Sequence, residues 1–78
     1  MDILETAILE MCRKQKGKSF CPSEVVQQMF PEDWSLFMED VLEAMMGLYR
    51  RDRILVTQNG EPVSRDRTPE GPVRISNP

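Results

Sequence analysis

Histidine is missing from this chain of 78 residues, and cysteine appears only twice, as Cys12 and Cys21. Without histidine, the commonest general base at neutral pH is absent. Two thiols cannot supply the four ligands of a structural zinc site, so no metal is expected and no cofactor motif is visible. A Cys12–Cys21 disulfide is not expected, because no export signal is seen and cytosolic thiols stay reduced. Asp2 and Glu5 stand where a signal peptide would need positive charge. No run of about eighteen apolar residues is present, so no membrane span is expected. These absences point to a soluble cytoplasmic protein. The length allows one domain with a small stability margin.

Basic charge is missing from one long stretch. The net charge is −3, but residues 19–49 carry −6 with no lysine or arginine. Residues 13–18 carry +4, from Arg13, Lys14, Lys16 and Lys18, and residues 50–53 carry +2. Local potential, more than the total, decides which partners are attracted.

What the chain does have is helical periodicity in its first two-thirds. Ile3, Leu4, Ala7, Ile8 and Met11 share one face of a first helix over residues 2–14, with Cys12 at its edge and Leu9 pointing away. Gly17 ends it, after basic residues that suit a helix C-terminus. In "SFCPSEVVQQMF", Cys21 reads as an N-cap, Pro22 as the first helical residue and Glu24 as the third. A proline there sacrifices no hydrogen bond, and a carboxylate at the third position can reach back to the cap N–H. A second helix is predicted over 22–30, closed by Pro31. A third is predicted over 34–51, with Trp34, Phe37, Met38, Val41, Met45 and Leu48 in one stripe and Glu39 and Glu43 opposite.

The period then changes. "RILVTQNGEPVS" holds two extended runs around Asn59-Gly60, a strong hairpin signal because both residues tolerate positive φ. Asp52 is expected to turn the chain out of the third helix. "PVRI" could add a last strand, Ser19-Phe20 a small one before the second helix, and residues 76–78 should fray. The reading is one mainly α, α+β domain over residues 1–75: a winged helix-turn-helix of three helices followed by a β-hairpin wing.

"CPSE" opening a helix, "WSLFM", "VTQNG" in the hairpin and "GPVRI" near the end together resemble a bacterial domain-of-unknown-function family of short winged-helix-like proteins. The resemblance runs from about Ile8 to Ile75. It implies the winged-helix fold and no biochemical role. Ser35 and Leu42 stand where the family often has arginine, which would remove part of a cationic surface.

Three functions compete. A winged helix commonly offers its third helix to the major groove and its wing to the backbone, and phosphate neutralisation by Lys and Arg supplies most of the affinity. Here Glu32, Asp33, Glu39 and Glu43 would meet phosphates. An unconventional basic face could instead form from Lys14, Lys16, Lys18, Arg50, Arg51, Arg53, Arg65, Arg67 and Arg74. The plainer reading is that cations at helix ends compensate helix dipoles. Protein contact is the second function. Leu9, Leu36 and Met46 fall outside the expected core, and clustered they would make a partner or homodimer surface. The third is catalysis by Cys21, whose thiolate a helix N-terminus would favour, but no base is at hand. Cys21, Pro22, Glu24, Trp34, Asn59, Gly60 and Arg74 are read as structural, with Arg74 a clamp pairing with Glu24 or stacking on Trp34. The expectation is a non-enzymatic binding module, its partner a protein or a nucleic acid.

Overall fold

The computed structural model describes residues 2–78. Asp2 accepts hydrogen bonds from the N–H groups of Leu4, at 2.8 Å, and Glu5, at 3.4 Å, and so starts helix α1, Ile3–Lys14. Helix α2, Pro22–Met29, starts as its sequence predicts. The Cys21 N–H donates to Glu24 Oε2 at 2.6 Å, the strong half of the capping box. The thiol half is weak: Cys21 makes no ordinary side-chain cap bond, and the Glu24 N–H points to the Cys21 carbonyl at 3.0 Å.

The third helix is shorter than its periodicity suggests. Trp34–Phe37 form a 3-10 turn, and α3 runs only over Met38–Arg50. Phe37 stacks on Phe30 with ring centroids 4.1 Å apart, and its backbone sits at φ −107°, ψ 9°, outside regular helix. The stack draws Phe37 back toward the end of α2. Residues 30–37 thus join α2 to α3 through a longer connection than the about 3–4-residue turn of a compact helix-turn-helix.

Asp52, at φ 60°, turns the chain out of α3 as expected. Strands β1, Leu55–Gln58, and β2, Glu61–Pro62, form the predicted hairpin. Asn59 at φ 54° and Gly60 at φ 82° give its turn the doubly positive geometry that matches strand twist. Strand β3, Arg74–Ser76, pairs antiparallel on the other side of β1, so the sheet order is β2-β1-β3. Phe20 adds one bridge to Ile75, with N···O distances of 2.9 and 2.7 Å. Three helices followed by a small antiparallel sheet make an α+β, winged-helix-like arrangement.

Contacts with the rest of the fold extend beyond residue 75. Ser76 pairs with Leu55, and the Asn77 side-chain N–H donates to the Cys12 carbonyl at 3.1 Å. Residues 76 and 77 thus lie against β1 and α1. Ile8, Val26, Val41, Met45, Val56 and Ile75 are wholly enclosed where the helices meet the sheet. Met46 is only 1 % exposed and belongs to this core, not to a contact surface. The cause is the central position of α3: it packs on both α1 and α2, and Tyr49 near its end donates to the Val63 carbonyl at 2.6 Å. A single stripe therefore underestimates what this helix buries. Leu9 also packs partly against the core, because the tail returns beside α1. Conversely, Ile3 is 69 % exposed, although its spacing puts it on the apolar face of α1.

Candidate functional site

Four of the nine cations read as a possible basic face, Arg50, Arg51, Arg65 and Arg74, are engaged within the fold. Arg51 pairs with Glu5 at 2.5 Å and also donates from Nε to the Gly47 carbonyl at 3.1 Å. Arg65 pairs with Asp52 at 2.5 Å and lies 4.6 Å from the centroid of the Tyr49 ring. These contacts raise the Arg65 pKa above its ordinary value, chiefly through the hydrogen bond to Asp52. Arg50 donates from Nε to the Arg65 carbonyl at 2.8 Å. The end of α3 and the chain after the wing do converge, but their arginines serve the convergence itself.

Arg74 is a clamp, with partners other than Glu24 or Trp34. Its Nε donates to Ser19 Oγ at 3.0 Å, one Nη to the Ser19 carbonyl at 2.8 Å, and the other to Cys21 Sγ at 3.1 Å. The β3 register puts Arg74 opposite Thr57, and the adjacent Phe20–Ile75 bridge brings Ser19 within reach. Cys21 is thus tied to the sheet as well as capping α2. Cys12 is buried, and desolvation pushes its thiol pKa above the ordinary value.

The remaining cations do not form one face. Lys16 and Arg53 meet Arg13 at a shallow depression beside Leu9 and Asn77, where Arg13 also pairs with Glu10. Lys14 borders a different hollow between α1 and α2. Lys18 is exposed in the chain before α2. Arg67 faces the wing across another depression. The wing amide of Gln58 is occupied: it donates to the carbonyls of Glu70 and, at 3.2 Å, Pro72.

A trough of about 580 Å³, lined by apolar and acidic residues together, lies between the start of α1 and the outer side of α3. Leu4, Ala44 and Gly47 border it beside exposed Ile3, and the stacked Phe30 and Phe37 form another wall. Asp2, Glu5, Asp40 and Glu43 stand around it, with Arg50 the one lysine or arginine in its lining among the described residues. Sequence reading flagged Glu43 only as the polar side of a helix and missed the trough, because three separate segments build it. Leu36, 75 % exposed on the 3-10 turn, keeps its place among possible contact residues.

No curated protein matches the chain. A family model described as "Protein of unknown function (DUF3253)" matches residues 1–78. The chain therefore belongs to the DUF3253 family, whose description assigns it no function.

Proposed function

We propose that this domain is a non-enzymatic protein-interaction module. The observation that carries the reading is the disposition of charge around α3. Glu39, Asp40 and Glu43 are exposed on the helix that a winged helix would present to a major groove. Phosphates brought there would meet like charge, in place of the Lys and Arg contacts that drive duplex binding. Arg51 and Arg65, which could have offset those acids, are paired with Glu5 and Asp52. Gln58, the wing residue suited to a groove, spends its donors on the backbone carbonyls of Glu70 and Pro72.

Catalysis has little support from the thiols. Burial disfavours ionisation of Cys12, and the Cys21 sulfur contacts the Arg74 guanidinium, a group that donates protons in hydrogen bonds but cannot serve as a base. A second reading, nucleic-acid binding, is favoured by Lys16 and Arg53 meeting at one depression. Fluorescence anisotropy with labelled duplex and single-stranded DNA, repeated across a salt series, separates the two. The interaction-module reading expects no saturable binding at low salt. Saturable binding that falls steeply with salt, and is lost on Lys16→Glu with Arg53→Glu, would transfer the function to nucleic acid.

A further inference from the structure

We propose that the trough bounded by Ile3 and the Phe30–Phe37 stack docks a cationic amphipathic helix of a partner protein, an assignment that rests on the interaction-module reading. The apolar part comes first. Ile3 is 69 % exposed at the mouth of the trough, beside buried Leu4 and Ala44. The stacked phenylalanines bound it with half-buried rings. A space of about 580 Å³ lies in the range of about 300–1,000 Å³ in which proteins hold ligands. It accepts a few side chains, as the anchors of an amphipathic helix would require.

Charge selects the occupant. Of the four carboxylates around the trough, Glu5 is paired with Arg51 and Asp2 is engaged as a helix cap. Asp40 and Glu43 form no ion pair among the described residues, and both are exposed on α3. Lysine or arginine flanking the apolar anchors would complete them. Nucleic acid and anionic lipid surfaces carry the wrong sign. The bounding residues lie mainly on helices and not along an open strand edge, so a strand laid in the trough would find no ladder to extend. The sheet edge offers little alternative, since β2 is short and ends in Pro62, which has no N–H. A helix, whose own backbone bonds are satisfied, is therefore the fitting form.

The test is an NMR titration of the labelled domain with two synthetic amphipathic peptides of about 15 residues, one leucine/lysine and one leucine/glutamate. The lysine peptide should shift the signals of Ile3, Phe30, Phe37, Asp40 and Glu43, and the glutamate peptide should not. Asp40→Asn combined with Glu43→Gln should weaken binding at least about tenfold, the loss expected for a few such charges. Glu39→Gln, on the same helix but away from the trough, should leave it unchanged. Dispersed spectra from each variant would certify that the fold persists. If the lysine peptide does not bind, or binds with shifts at other residues, the trough assignment falls while the interaction-module reading stands. Salt-sensitive DNA binding in the separate anisotropy series would remove that broader reading instead.

Discussion

Replacing Arg74 by alanine should loosen the joint between β3 and the start of α2. The guanidinium donates to Ser19 Oγ, the Ser19 carbonyl and Cys21 Sγ, at 3.0, 2.8 and 3.1 Å. A hydrogen bond to a charged group contributes about 1.5–3 kcal/mol under favourable conditions. Arg74 is exposed, so water replaces much of what is lost, and one acceptor is a weak sulfur. The net cost should be about 1 kcal/mol for the whole set. In a domain of this size, that lowers the thermal midpoint by about 4–8 °C. Differential scanning calorimetry of the parent, Arg74→Ala and Arg74→Lys would measure it. Lysine keeps the charge but lacks the fork that reaches several acceptors, so its midpoint should fall between the other two. An Arg74→Ala midpoint equal to the parent's would refute the clamp.

Three other perturbations test separate parts of the structure. Met46→Ala should cost about 2–5 kcal/mol in urea unfolding, as for other large-to-small core changes; a loss below about 0.5 kcal/mol, typical of surface sites, would contradict its burial. Gly47→Ala should stabilise α3 by up to about 1 kcal/mol, since the added Cβ would lie 3.5 Å from Glu5 Oε2, an ordinary contact; a lower urea midpoint would show that α1 and α3 sit closer than described. Burial raises the folded Cys12 pKa above the ordinary 9.0 at which the unfolded thiol ionises. Its contribution is therefore full below pH 9.0 and lost as pH rises through the folded value, so the stability gap between parent and Cys12→Ala should narrow in alkaline urea titrations. A constant gap would deny the perturbed thiol.

The features legible in the sequence were those set by near neighbours. Cys21-Pro22-Glu24 marks a helix start within four residues of chain, and Asn59-Gly60 marks a turn within two. Periodicity likewise located all three helices. It failed where contacts come from several directions. A wheel assigns α3 one buried stripe, whereas packing on two helices also encloses Met46. Arg74 was legible as a clamp, but its partners Ser19 and Cys21 lie 55 and 53 positions away and depend on the Phe20–Ile75 bridge. The trough needs the start of α1, the end of α2 and the outer face of α3 together, and spacing within any one of them does not reveal it. The charge pattern around it was visible earlier, as the long stretch without a basic residue.

The central claim is that this winged-helix-like domain meets its partner through an acidic, apolar surface of α1 and α3. The most direct test is one residue-resolved NMR map of the parent domain challenged at low salt with equal amounts of the lysine peptide and a DNA duplex. The expected result is a set of shifts confined to Ile3, Phe30, Phe37, Asp40, Glu43 and their neighbours, with the DNA left free. Shifts centred on Lys16, Arg53 and Asn77, with the DNA bound and the trough silent, would contradict it.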